Sequence, residues 1–358
     1  MSSGELLART IAAIVLTDDQ ALAAAENRQL ELTKPVGSLG QLEWTGNRLC
    51  AIYRQCPPPC PRRAIAGVFC GDHGVTAQGI SPWHQELTQQ MAINVCKGGA
   101  SINALAAQAG VEVWAIDVGC QLELPESPTL RRCRVRPGTG DITQTRAMTR
   151  DEAVAAIEVG IQIAREAVQA GADLLIPGEV GIGNTTVAAA MIAAMTGSDA
   201  ARVTGRGAGS GDQMLARKIA VVQRALDLHR PDPGDPIGVL SAVGGLEHAA
   251  IAGFLLGGAA LGVPLLLDGV IACAAALIAV RLCPTAAGYL LAGHAGAEPG
   301  IDVALQQLDL QPLVDLGMRL GEGGGAAVAF PIVQASANVL RLMATFSEAA
   351  VNADHDEL

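Results

Sequence analysis

The chain has 358 residues, half of them hydrophobic, with 42 glycines and only nine aromatic side chains (three Trp, two Tyr, four Phe). Charged residues make up 16% and the formal net charge is −11, which excludes a largely disordered chain and argues against a nucleic-acid backbone as partner. So few aromatics also argue against a stacking platform for single strands, whereas one oriented loop can still bind a small phosphorylated molecule against the global field.

In chain order, residues 1–48 read as helical, and the early Glu5 and Arg9 with only a short apolar run after them do not make a secretory leader. Cys56-Pro-Pro-Pro-Cys60 reads as a rigid surface linker, with zinc a distant second because no Cys or His pair follows at zinc spacing. The nine cysteines are an odd, scattered set, so free thiols and a cytoplasmic setting are expected. Apolar runs at 64–70, 111–118, 172–176 and 264–267 each end in Gly, Pro-Gly or Asp-Gly and predict strands. Helical patterns lie between them, at about 85–109, 150–170, 184–196, 212–228, 244–261 and 270–281. Arg230–Pro236 reads as a stiff connection between two helices.

Strands alternating with helices predict an α/β fold, a Rossmann-like, mainly parallel sheet flanked by helices whose ligands sit beyond the carboxyl ends of the strands. The large α/β domain is expected over 49–301. A smaller helical domain is expected from both chain ends, 1–48 and 302–351, with a polar, frayed tail at 352–358. The uncharged run 249–267 is long enough to span a membrane. Its glycines at 253, 257, 258 and 262, with Pro264 and no flanking basic cluster, favour a buried helix, a turn and a strand instead.

Four glycine-rich stretches are candidate sites. In Pro177-Gly-Glu-Val-Gly-Ile-Gly-Asn-Thr-Thr186 a strand end runs into an Ala-rich helix. Glycines let backbone approach a ligand, and free amides at a helix start bind anions. Asn184 and Thr185 suit caps or phosphate ligands, and Glu179 suits a ribose hydroxyl. In Arg319-Leu-Gly-Glu-Gly-Gly-Gly-Ala326, Glu322 is either a solvated loop residue or a carboxylate with a raised pKa, useful as a general base. Gly205–Gly211 superficially resembles a dinucleotide loop but has no strand before it, and Lys218 downstream is either solvated or an anion ligand. Asp72–His73, after a strand, is either an acid/base pair or a capped turn. No motif calls for a metal ion or a cofactor.

Lys34–Glu43 (KPVGSLGQLE), Gly71–Val75 (GDHGV), Gly178–Thr186 (GEVGIGNTT), Leu266–Gly269 (LLDG) and Arg319–Glu322 (RLGE) stand in the order of one family. Over about residues 28–350 the chain resembles nicotinate-nucleotide–dimethylbenzimidazole phosphoribosyltransferases, which make the lower-ligand nucleotide of cobalamin. It departs from the family pattern at Gly324 and Trp83–His84, which leaves the choice of base open. The resemblance implies transfer of 5-phosphoribose from nicotinate mononucleotide to 5,6-dimethylbenzimidazole with inversion, in a cytoplasmic homodimer that binds neither nucleic acid nor membrane. It further implies Glu322 as general base, Glu179 near the ribose, and Gly181, Gly183, Asn184, Thr185 and Lys218 on the phosphate. Leu320, Ser81, Trp83, Gln90 and Met91 would face the base, although Met91 is equally a core residue. Asp268 would contact substrate or cap the turn after its strand. The rival reading is a non-catalytic nucleotide sensor, which would keep the phosphate loop and not need Glu322.

Overall fold

The computed structural model describes residues 4–351 apart from 208 and 210; the tail at 352–358 lies outside the described residues. Seven parallel strands form one sheet: β1 (Ala64–Gly71), β2 (Val111–Gly119), β3 (Leu130–Arg132), β4 (Leu174–Val180), β5 (Leu265–Leu267), β6 (Leu290–Ala295) and β7 (Pro312–Asp315). Their spatial order is β3-β2-β1-β4-β5-β6-β7, so the order reverses between β1 and β4, where a crevice opens beyond the strand ends.

The helices are α1 (Glu5–Ala13), α2 (Asp19–Glu31), α3 (Gln41–Tyr53), α4 (Glu86–Cys96), α5 (Ser101–Ala109), α6 (Arg150–Gln169), α7 (Asn184–Thr196) and α8 (Ala200–Val203). They continue with α9 (Asp212–His229), α10 (Pro236–Val243), α11 (Leu246–Ala260), α12 (Val270–Leu282), α13 (Gly300–Leu308), α14 (Gly324–Leu342) and α15 (Phe346–Ala349).

The expected α/β architecture is present, and the predicted strand runs are mostly apolar because both faces of the sheet are covered. Every residue of β1 and β4 is buried. Ile65, Phe69, Ile116, Leu175 and Leu265 point to one core, shared with α6, α7, α11 and α12. Ala64, Ala66, Val68, Leu174, Ile176 and Leu266 point to the other, which is closed by Ile102 of α5 and Phe330 and Val333 of α14. The uncharged run 249–267 resolves into the buried α11, a turn and β5. Among the described residues only α14 is long and apolar enough to cross a membrane, and half of it is buried against its neighbours.

The two chain ends meet as helices. Ala21, Ala25, Leu32, Cys50 and Leu340 form a small core of their own, and Leu32 bridges Thr345. Yet 302–351 also supplies β7 to the sheet, α14 packs on β6, and α1 packs on α6 and α11.

The helices α6 and α11 touch backbone to backbone. A Cβ on Gly160 would lie 1.8 Å from the Ala250 carbonyl oxygen, and one on Gly253 would lie 1.8 Å from that of Ile157. Gly253→Val therefore forces the pair apart, and overpacking of this kind costs about 1–3 kcal/mol or more. Urea denaturation should show a loss of at least about 2 kcal/mol; an unchanged midpoint would mean that the crossing tolerates a side chain.

Candidate active site

The crevice is a cleft of about 550 Å³ lined by the segments that follow β4, β5, β6 and β7, together with part of Ile80–Met91, Arg206–Gly207 and Lys218. Two other hollows, of about 460 and 490 Å³, lie away from the glycine loops.

At one end the strand β4 and the loop before α14 meet closely, backbone against backbone at Gly178 and backbone against the Glu179 carboxylate at Gly321. A Cβ on Gly178 would lie 2.3 Å from the Glu322 carbonyl oxygen, and one on Gly321 (φ +87°) would lie 2.2 Å from Glu179 Oε1. Only glycine permits that approach, and it brings Glu179 and Glu322 to one corner of the cleft. Glu322 itself adopts a left-handed φ of 64°. Its Oε2 accepts a 3.0 Å hydrogen bond from the Ile102 amide in the first turn of α5. Burial raises the Glu322 pKa, that amide pulls it down, and the charge of Asp268 adds to the rise, leaving it above the ordinary value. Glu179 is held by the Asn184 side-chain amide. Burial, with the charges of Asp268, Glu247 and Glu322, drives its pKa well up.

Asp268 is buried below this corner and does not line the cleft. It accepts from the amides of Gly323 (3.2 Å) and Ala326 (3.0 Å), so it caps α14 and fixes the loop that carries Glu322. His294 Nε2 lies 3.5 Å from Asp268 Oδ1. Burial presses the His294 pKa down, but Asp268 outweighs it and leaves it raised.

The other end of the cleft is cationic. Gly183, at φ +95°, begins α7, whose amino terminus favours anions. Lys218 Nζ donates to Thr185 Oγ1 at 2.9 Å, and Arg206 and Arg319 line the same region. Glu298 Oε1 accepts from the Gly207 amide at 2.7 Å, and Arg319 reaches the Gly207 carbonyl at 3.4 Å. Burial lowers the Lys218 pKa, with Glu298 partly offsetting it. The backbone amide of Asn184 is already engaged by the Gly181 carbonyl at 3.2 Å, so Asn184 serves the carboxylate corner through its side chain.

Between the ends, Ile80, Leu87, Met91, Val270, Met318 and Leu320 form an apolar wall, with Ser81 beside it. Trp83 and Leu320 are more than half exposed at the mouth. The structure thus gathers Glu322, Glu179, Gly181, Gly183, Asn184, Thr185, Lys218, Leu320, Ser81 and Met91 around one cleft. Gln90 is exposed and lies outside the lining.

Asp72 and His73 also stay out of the cleft. Asp72 accepts from the Gln121 amide at 2.8 Å, as a turn residue would, and His73 turns into the protein toward Glu247. All nine cysteines are free. The loop 205–211, of which Ala208 and Ser210 lie outside the described residues, follows α8 and not a strand, yet it contributes Arg206 and Gly207 to the cationic end. Glu298, His294 and Met318 went unnoticed in the sequence; only the apolar run 290–292 before Gly-His hinted at a strand end there.

A phosphoribosyltransferase family model matches residues 14–351. The chain belongs to this family. Over 97% of its length it is 53% identical to the nicotinate-nucleotide–dimethylbenzimidazole phosphoribosyltransferase of Salinispora tropica, of which 99% is covered. The enzyme of the same name from Chloroflexus aggregans is 50% identical, with 97% of this chain and 98% of that one covered. The crystal structure of this phosphoribosyltransferase from Thermus thermophilus superposes with a TM-score of 0.89 at 44% identity, covering 94% of this chain and 99% of that one.

Removing the Lys218 ammonium tests the cationic corner of this phosphoribosyltransferase. A charge-assisted hydrogen bond contributes about 1.5–3 kcal/mol, so Lys218→Met should weaken inorganic phosphate binding by calorimetry about tenfold or more. Because burial lowers the Lys218 pKa, wild-type affinity should also fall as alkaline pH neutralises the amine. Equal affinity in both proteins would remove Lys218 from the anion site.

Proposed function

We propose that this enzyme transfers the 5-phosphoribosyl group of nicotinate mononucleotide to 5,6-dimethylbenzimidazole, giving α-ribazole 5′-phosphate and nicotinate with inversion at C1′. The observation that carries the reading is one cleft with a cationic corner, a buried two-carboxylate corner and an apolar wall between them. The 5′-phosphate would lie against Lys218, Thr185, the amides of Gly181 and Gly183 and the start of α7. The base would lie against Leu320 and Met91 of the apolar wall, near Ser81, with Trp83 at the mouth.

The chemistry asks little of the protein beyond placement. The pyridinium of nicotinate mononucleotide is a cationic leaving group, so the C1′–N bond breaks with its electron pair returning to a neutral ring. One nitrogen of the benzimidazole attacks C1′ from the opposite face, while the N–H on its other nitrogen must be lost. Glu322 is our choice of acceptor: its Oε2 is tied to α5, and its raised pKa brings it closer to the working range of a general base. Glu179, whose pKa is driven well up, is read as a protonated acid that hydrogen-bonds the ribose. The rest of the acceleration comes from holding base, sugar and leaving group in line.

Glu322→Gln keeps the size of the side chain and removes the proton acceptor. It should leave nicotinate mononucleotide affinity unchanged and lower kcat by at least about 10², within the general-base range. A base works only when unprotonated, so wild-type kcat should fall as pH drops through a value above the ordinary glutamate range, and that limb should vanish in the variant. Turnover near wild type, or an unchanged acid limb, would assign the proton to another group.

A further inference from the structure

Below the floor of the cleft, the end of β1 and the start of α11 bring together three side chains that leave no surface to water: His73, Glu247 and His248. His73 Nε2 lies 2.7 Å from Glu247 Oε1, and His248 Nδ1 lies 2.9 Å from the same oxygen. The three donor atoms all fall within 4.8 Å of one another. Despite these short separations, the ring nitrogens of both histidines and both oxygens of Glu247 lack an aligned hydrogen-bond partner. Backbone has been cleared to admit the group. A Cβ on Gly245 would fall 2.6 Å from Glu247 Oε2, from His248 Nδ1 and from the His73 ring.

A simple ion pair would need imidazole N–H groups aimed at Oε1, and neither ring aims one there. Leaving such groups buried and unpaired is unfavourable, because each has lost its hydrogen bonds to water. A cation between convergent N, N and O donors needs no N–H alignment. With metal–ligand bonds of about 2.1 Å, donors 2.7–2.9 Å apart subtend about 80–90° at an ion. That is the angle between neighbouring ligands in an octahedral site, as in two-His-one-carboxylate centres, and is narrower than a tetrahedral zinc site wants.

We propose that His73, Glu247 and His248 form a buried site for one divalent first-row transition ion. None of the three lines the cleft, so the site is structural: it ties the turn after β1 to the first turn of α11. It also lies directly below the anion loop, because a Cβ on Gly181 would fall 3.1 Å from His73 Nε2. The ion adds positive charge beneath the cationic corner. The proposal is independent of which base or nucleotide the cleft accepts.

The test is the metal content of full-length protein made in media supplemented in turn with manganese, iron, cobalt, nickel and zinc, and purified without chelator. About one ion per chain is expected from at least one medium, with a lower Tm once a chelator has stripped it. The cobalt-loaded protein should show visible ligand-field bands without the intense thiolate band that any of the nine cysteines would add. His248→Gln and Glu247→Gln should each lower the content at least about tenfold, since even loss of an outer-shell partner weakens metal binding by about 10–100-fold. Less than about a tenth of an ion per chain from every medium, in protein that is folded by circular dichroism, would overturn the site. So would a thiolate spectrum, or a metal content that both variants leave unchanged.

Discussion

The site depends on a contact between two stretches of backbone. Gly178 in β4 and Gly321 before α14 each lack the side chain that would otherwise hold strand and loop apart. Their contact sets Glu322 beside Glu179 at the strand end where the sheet reverses order. From the other side, Asp268 at the end of β5 holds the same loop through the Gly323 and Ala326 amides. Gly178 in β4, Asp268 just after β5 and the first turn of α5 therefore fix a single carboxylate, and a substitution at Gly178 would act on chemistry through backbone position alone.

Charge is then sorted within the cleft. Two buried acids are pushed toward their neutral forms by burial and by the charge of Asp268 beside both, while Lys218, Arg206 and Arg319 stand at the other end. A chain with a net charge of −11 can thus present a locally cationic corner, because the amino terminus of α7 and the buried Lys218 act over short distances and the surface acids are screened. The apolar wall between the corners separates the two charge systems.

Much of this was legible in the sequence where a residue's role is local. β1, β2, β4 and β5 could be read because their faces are mostly buried, which makes a predominantly apolar run. β3 (Leu-Arg-Arg) and β7 (Pro-Leu-Val-Asp) are short edge strands with polar or proline residues, and β6 is interrupted by Gly-His, so none carries that pattern. The expected helix at 85–109 is two helices, α4 and α5, parted at Lys97–Ala100. Helix α10 escaped notice beside the proline-rich connection that precedes it. Glu179, Glu322 and Thr185 stood out because glycines flank them or a helix starts there. Gln90 was expected at the cleft by resemblance alone: Leu87 and Met91 lie one turn apart on the face of α4 that meets the cleft, and Gln90 lies off that face. Glu298, Glu247 and His248 had no local signal, and His73 stood out only beside Asp72, since the partners that matter lie far away along the chain.

The most direct test of the account is to identify the products. Purified protein incubated with nicotinate mononucleotide and 5,6-dimethylbenzimidazole should yield α-ribazole 5′-phosphate and free nicotinate in equal amounts, read by mass spectrometry, with the α configuration at C1′ by nuclear magnetic resonance. Retention of configuration would contradict attack from the face opposite nicotinate. Bound nucleotide with no transfer to this base, or to adenine offered in its place, would contradict the assignment of the two corners to one phosphoribosyl transfer.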